Sequence, residues 1–293
     1  MNYFLKRYAE LGEKFDPEIV LRPSFRVNTN MISKKELIKR LSKNNIKTEK
    51  IPFLQAGYFY ESSFSLGSTP EYLLGLYYLQ EAASQVPPIV LAPKSGELVL
   101  DMAASPGSKT TQMSEIMRNQ GVIVALDNNI HRADSLVNNI ERMGASNVIV
   151  YKKDSRYADD FEIMFDKILL DVPCSGNFTD SPDWFYKRSI DGINSRVKIQ
   201  KDLLAAAYRC LKSGGEMVYS TCTLEPEENE MVINWFLQDF DDMSLLDTGL
   251  SVGSPAPTEV FGEKLDPRIN LCRRFWPHKT GTQGFFVAKL KKN

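Results

Sequence analysis

An open, doubly wound α/β sheet preceded by a small α+β unit is the fold this chain of 293 residues predicts, on three observations. Strand-like segments at Leu98–Asp101, Val122–Asp127, Val148–Asp154 and Lys167–Asp171 follow one another at regular intervals, each ending on an aspartate. Helix-like stretches at 108–118, 130–142, 195–211 and 226–238 alternate with them and with a further run, Met217–Thr221. Such alternation implies a parallel, doubly wound sheet of the Rossmann-like kind. Finally, the fourth segment leads into Pro173-Cys174-Ser175-Gly176 and the fifth run ends on Cys222. Acids at the carboxyl ends of parallel strands line the crevice where such sheets bind ligands, and two thiols beside it suggest covalent chemistry.

Ahead of the sheet, residues 1–80 form a first unit and 81–293 the second. Phe25–Asn28 is a short strand, and Ser33 precedes a helix over Lys34–Leu41 with Glu36 in the capping-box position. Ile46–Pro52 and Gly57–Glu61 are two more strands, which completes a small α+β module. A helix is predicted over Pro70–Leu91, broken near Pro87-Pro88, and Pro93–Gly96 is a turn. Phe285–Leu290 is a late strand that would close the sheet edge.

Hydrophobic residues make up 43% and charged residues 25%, ordinary for a chain with a real core. No apolar run approaches the roughly 18–20 residues that span a bilayer. The start of the chain has no apolar stretch before a cleavage site, so a cytoplasmic protein without a membrane partner is expected. The four cysteines, at 174, 210, 222 and 272, form no CxxC knuckle, and only two histidines are present, so no metal site is predicted. Net charge is −1, but residues 1–50 carry +6 and 268–293 carry +7, leaving −14 for the middle. Basic ends around an acidic centre suit a polyanion gripped at the periphery, or serve only solubility.

Between the first strand and its helix lies Asp101-Met-Ala-Ala-Ser-Pro-Gly-Ser-Lys-Thr110. With Gly107 as its one glycine, this loop lacks both the GxGxxG and the GxxxxGK[ST] phosphate signatures. It permits close backbone approach without a phosphate cradle, which suits S-adenosylmethionine. Asp127 is then placed to accept from ribose hydroxyls and Asp154 from an adenine amino group. Each acid alone is more simply a helix cap, but three in register with the loop favour binding. Cys210 and Cys272 read as inert core thiols. Cys174 and Cys222 sit at turn residues facing the crevice, and Pro226 starts a helix whose polarity would lower a nearby thiol pKa. Spacing does not decide which of the two attacks.

The chain resembles the NOL1/NOP2/Sun family of RNA cytosine-5 methyltransferases, in an archaeal or bacterial-like short form. The resemblance runs from Arg26-Val-Asn-Thr29 and Leu66-Gly-Ser-Thr-Pro70 through Ala103-Ala-Ser-Pro-Gly-Ser-Lys109 and Asp171-Val-Pro-Cys-Ser-Gly176. It continues over Ser220-Thr-Cys222 and Pro226-Glu-Glu-Asn-Glu230 to Phe275-Trp-Pro-His278 and Gly284-Phe-Phe. It implies Cys222 as nucleophile, Cys174 as helper in product release and Asp171 beside them. Donor contacts are implied from Ala103, Ala104, Ser105, Pro106, Gly107, Ser108, Lys109, Asp127, Arg132, Asp154 and Asp171. The family's N-terminal module is usually RRM-like, so Arg26, Lys34, Lys35, Lys39 and Arg40 would touch RNA backbone, while Phe25 and Phe59 stay in the core. Ser105, Ser108, Val172 and Thr223 depart from the commonest pattern without removing a reacting group, and 177–184 matches less well.

Cytosine C5 is a poor nucleophile until a thiolate adds at C6. Cys222 is assigned that addition, Asp171 the N3/N4 edge of the base, and Cys174 the release step. The substrate reads as RNA, tRNA before rRNA, handled by a monomer. An rRNA enzyme, or an RNA-binding protein with a vestigial donor site, is the alternative. A DNA cytosine methyltransferase would need a target-recognition domain, and an amino-group methyltransferase would need [DNS]PP[YF] where Asp171-Val-Pro-Cys174 stands.

Overall fold

The computed structural model describes residues 2–179, 181 and 183–293, with Ile130 described in its backbone alone. Of the weakly matching stretch 177–184, Asp180 and Pro182 therefore lie outside the described residues, as does Met1. Helix α1 (Tyr3–Glu10) is capped by the Asn2 side chain. The next unit runs β1 (Ser24–Val27), α2 (Lys34–Lys43), β2 (Lys47–Lys50), β3 (Gly57–Glu61), α3 (Pro70–Leu73) and β4 (Tyr77–Leu79). Its antiparallel strands lie in the order β2-β3-β1-β4, a split βαββαβ arrangement. The Ser33 hydroxyl accepts from the Glu36 amide as the capping pattern predicts, while the Glu36 carboxylate turns to Arg40 and leaves the box half complete. Phe25, Val27, Leu37, Leu41 and Tyr77 pack into this unit's core.

The helix predicted over Pro70–Leu91 is not one element. Gly75 takes φ +69°, where a Cβ would lie 1.8 Å from the Arg142 carbonyl oxygen, and so ends the first piece. The aromatic run after it pairs with β1 as a strand; helical structure resumes as a 3-10 turn over Ala83–Gln85 that leads into α4 (Val86–Leu91), whose first turn holds Pro87-Pro88 without the expected break.

The second unit continues β5 (Leu98–Asp101), α5 (Ser108–Ile116), β6 (Val122–Asp127), α6 (Ile130–Met143), β7 (Val148–Lys152), β8 (Phe165–Asp171), α7 (Trp184–Lys187), α8 (Ile190–Cys210) and β9 (Leu211–Thr221). It ends with α9 (Glu230–Asp239), β10 (Met243–Leu246), β11 (Ser254–Pro255), β12 (Glu259–Val260), β13 (Glu263–Lys264), β14 (Arg273–Phe275), α10 (Pro277–Thr280) and β15 (Phe285–Lys292). The large sheet has the order β11-β14-β15-β9-β8-β5-β6-β7, with β10 also pairing β15. Strands β5 to β9 are parallel and β15 is antiparallel to β9. The chain leaves β5 toward β6 and returns through β8 on the other side, so the switch point, where such sheets bind ligands, lies between β5 and β8. Strand β15 does not close the edge as expected. It sits between β9 and β14, because Phe285, Phe286, Val287 and Ala288 are apolar on both faces and need cover on both. No described helix is long and apolar enough to cross a membrane.

The two units share apolar packing: Ile51, Leu54 and Phe59 meet Val99, Met113 and Leu169 in one cluster. They also share a buried cation. Arg26, expected on the RNA backbone, is 2% exposed. Its guanidinium donates to Gln80 Oε1 at 3.0 Å, Thr111 Oγ1 at 3.1 Å and the Ser108 carbonyl at 3.2 Å, and pairs with Glu115 on α5. Burial lowers its pKa although Glu115 opposes the shift. Its role is to clamp the first unit to the donor-loop helix, which corrects the sequence expectation.

Asp101 also departs from the expected row of crevice acids. It is buried beneath the loop, accepting from Thr110 Oγ1 at 2.7 Å, and burial pushes its pKa to about 6.

Arg26→Ala strands Glu115 and is expected to cost about 3–5 kcal/mol in urea unfolding. Asp101 has its folded-state pKa raised, so its contribution to stability is complete below about pH 4 and lost as pH rises through about 6. Asp101→Asn does not titrate and should therefore gain on the wild type over that range, by on the order of 2–3 kcal/mol, in melts taken at successive pH values.

Candidate active site

The loop after β5 turns at Gly107, whose φ of +102° only glycine adopts freely and where a Cβ would meet Leu136 Cδ1 at 3.0 Å. Met102, Ala103 and Ser105 line a cleft of about 530 Å³. Ala104, Pro106 and Ser108 shape the loop from behind: Ala104 is buried, the Pro106 carbonyl accepts from Asn139 Nδ2 at 2.9 Å, and the Ser108 carbonyl holds Arg26. Asp127, Asp154 and Asp171 all line the cleft, as do Cys174 and Cys222.

Each acid is held differently. Asp127 Oδ1 accepts from the Asn129 amide at 2.9 Å, and Oδ2 lies 3.5 Å from Arg132 Nη2. Arg132 also donates to the Ser105 carbonyl at 3.3 Å, tying the second strand end to the loop. Asp154 accepts from the Arg156 amide, so it caps a turn while it faces the cleft, and the Arg156 guanidinium holds its pKa down. Asp171 lies 2.7 Å from Lys109 Nζ and accepts from Ser220 Oγ at 2.6 Å. Lys109 is not an exposed helix residue. Burial disfavours its charge, but Asp171 outweighs that and its pKa rises.

The parallel register of β8 and β9 sets Asp171 opposite Ser220 and brings the two thiols together, with Sγ atoms 3.0 Å apart. The hydrogen bond with Cys222 and burial push the Cys174 pKa well above its ordinary value, with the Glu228 charge acting in the same direction. Cys210 and Cys272 are buried, with pKa values raised by burial, Cys210 to about 11.

Glu228, with no exposed surface, accepts from the Ser175 amide at 3.0 Å, from the Ser175 hydroxyl, and from Gln200 Nε2 at 2.7 Å. Asn177 Nδ2 donates to the Cys222 carbonyl at 2.8 Å, and Asn229 bonds Thr221 Oγ1 and the Thr223 carbonyl. Glu225 accepts from Tyr8 Oη at 2.6 Å, and burial lifts its pKa to about 7. Sequence reasoning assigned no role to Glu228, Arg156, Arg188 or Arg196. Glu228 lay within a quoted motif, whereas the arginines had no local signal.

Ser105 Oγ is buried against the cleft with no partner among the described residues. A free hydroxyl beside a row of carboxylates fits S-adenosylmethionine, which carries amino, carboxylate and ribose groups to be held. Glu228→Ala would leave the buried Ser175 amide unpaired, at about 1–3 kcal/mol, and would leave the Ser175 hydroxyl only Thr223 Oγ1 and the Gln200 amide only the Pro173 carbonyl. A lowered denaturation midpoint at unchanged m-value is the expected reading.

Residues 88–291 match the family model described as 16S rRNA methyltransferase RsmB/F, and residues 3–82 match the N-terminal domain of 16S rRNA methyltransferase RsmF. The chain is 41% identical to a tRNA (cytosine(49)-C(5))-methyltransferase of Pyrococcus abyssi, over 98% of this chain and 95% of that one. It is 37% identical to the human 28S rRNA (cytosine(4447)-C(5))-methyltransferase, over 97% of this chain but 36% of that protein. Among solved structures, a methyltransferase homologue from Pyrococcus horikoshii superposes with a TM-score of 0.87 at 44% identity, over 94% of this chain and 88% of that one. NSun6 of Pyrococcus horikoshii, solved with the S-adenosylmethionine analogue SFG, superposes with a TM-score of 0.83 at 28% identity, over 94% and 92% of the two chains. The paired thiols, the acid-lined cleft and matches that span nearly the whole chain thus make one case: this protein belongs to the RsmB/F (NOL1/NOP2/Sun) family of S-adenosylmethionine-dependent RNA cytosine-5 methyltransferases.

Proposed function

We propose that the protein is a cytoplasmic, monomeric enzyme that methylates C5 of a cytosine in tRNA, with Cys222 as the attacking thiol and Cys174 as its partner in release. The observation that carries this reading is the pair of sulfurs 3.0 Å apart beside the Lys109–Asp171 ion pair. S-adenosylmethionine, when bound, supplies an electrophilic methyl group. Asp127, Asp154 and Ser105 would hold it, with Ala103 and Met102 against it.

Lys109 lies close enough to Cys222 for their charges to interact. Cys222 adds to C6, forming the S–C6 bond and moving electron density to C5. Asp171 faces the N3/N4 edge, with Lys109 holding the carboxylate in place. Cys174, which keeps its proton, delivers it to the departing Cys222 sulfur, and the thiolate left behind takes the C5 proton. Cys174 is thereby restored, and Cys222 ends as a thiol that releases one proton, the net equivalent of the one C5 lost, to solvent before the next addition. The target base must be unstacked to enter, which favours loops over duplex. On α2, exposed Lys34, Lys35, Lys39 and Arg40 would follow the RNA backbone. Lys35 and Lys39 do so most readily, since their side chains make no hydrogen bond or ion pair among the described residues, whereas Arg40 pairs with Glu36. The tRNA reading is supported by the 41% identity, over 98% of this chain, to an enzyme that acts on cytosine 49 of tRNA. The rRNA substrate in the family model's description is the second reading.

Cys222→Ala should abolish methyl transfer, and Cys174→Ala should accumulate a covalent RNA–protein adduct on denaturing gels. The opposite pattern would exchange the two roles. Asp127→Asn should weaken S-adenosylmethionine binding about tenfold or more by calorimetry, which corresponds to about 1.4 kcal/mol. Bisulfite sequencing of tRNA and rRNA, with and without the protein, separates the two substrates.

A further inference from the structure

We propose that the α7–α8 junction is the seat for the nucleotide that flanks the target cytosine: Arg188 and Arg196 take its phosphate and Tyr186 stacks its base. The inference rests on the reading of an RNA substrate.

A second cavity of about 340 Å³ opens beside the thiol cleft, lined by Lys187, Arg188, Ser189, Ser195 and Arg196 among others. Ser175, Arg188 and Arg196 line both spaces, so a chain whose base enters the cleft has its backbone at this rim. Charge sorts the two spaces. On the donor side the basic groups are already paired, Arg132 with Asp127, Arg156 with Asp154 and Lys109 with Asp171, whereas the rim carries arginines with donors to spare. Arg188 spends only Nε, donating to the Ser175 carbonyl at 2.8 Å, and its two Nη groups make no hydrogen bond among the described residues. Arg196 is exposed and makes no hydrogen bond or close ion pair among them, though its charge reaches Glu228. Both are free to take phosphate oxygens in the forked manner arginine favours.

Tyr186, on α7 and next in sequence to Lys187 and Arg188, stands 86% exposed. Its helix is not loosely attached. Trp184 is buried and donates from Nε1 to the same Ser175 carbonyl at 2.9 Å, so α7 and the Cys174 loop share one anchor. An exposed aromatic face on an anchored element, near cations, is how single-stranded nucleic acid is held without sequence readout.

The test is anisotropy of a fluorescein-labelled single-stranded oligoribonucleotide containing one cytidine, titrated at several salt concentrations. Arg196→Ala should weaken binding and flatten the log K against log salt slope by about 0.7, the share of one phosphate contact on a single strand. Tyr186→Ala should weaken binding about tenfold at unchanged slope, and Tyr186→Phe should bind as wild type does. Unchanged affinity and slope in both alanine variants would overturn the proposal, as would equal losses in Tyr186→Ala and Tyr186→Phe. Methyl transfer by the wild type, read in parallel, separates this idea from the reaction itself. If the variants behave as expected but no C5 methylation occurs, the seat stands and the reaction reading fails. If the wild type methylates while the variants bind unchanged, only the seat fails.

Discussion

The carboxylate of Glu228 is the constraint on which the site depends. It comes from the turn before α9, has no exposed surface, and gathers the Ser175 amide, the Ser175 hydroxyl and the Gln200 side chain onto one group. Those contacts fix the loop after β8 against α8 and against the turn that follows Cys222. Without them the register of β8 and β9 would still place the two strand ends side by side. The thiol spacing, though, is set by loops, and loops hold an ångström-scale geometry only when their polar groups are tied down.

Around this anchor the electrostatics are divided. Cys174 is held protonated by its neighbour and by burial, while Lys109 brings a positive charge toward Cys222 and is itself kept charged by Asp171. Two chemically identical side chains are thereby made different. That division is what an addition and elimination sequence needs, because the attacking sulfur must be free of its proton while a proton stays within reach for the return step.

The two units do not behave as a catalytic domain with a detachable accessory. Arg26 joins β1 to α5, and Ile51, Leu54 and Phe59 pack with the large sheet. Movement of the first unit is therefore coupled to the helix that carries Lys109. An RNA held along α2 and at the α7–α8 rim would lie on surfaces rigidly connected to the cleft, which favours orientation of the base over simple capture of the strand.

Local chemistry made much of this legible in advance. Short, near-continuous apolar runs ending in aspartate placed β5 to β8, because parallel strands covered on both faces need such runs. A loop with one glycine excluded phosphate cradles, since it offers a single freely turning backbone position. The placement of Asp127, Asp154, Asp171, Cys174 and Cys222 along one cleft followed from strand ends alone. What tertiary structure decided was everything that depends on distant partners. Arg26 reads as a surface cation until Glu115, far along the chain, is found beside it. The stretch after Gly75 reads as helix until β1 offers its edge. Asp101 looks like its three counterparts until Thr110 covers it. Lys109 finds Asp171, and Glu228 finds Ser175, only through crossovers that no local pattern encodes. Burial and pairing across the sheet, rather than residue type, determine which charge faces the cleft and which thiol keeps its proton.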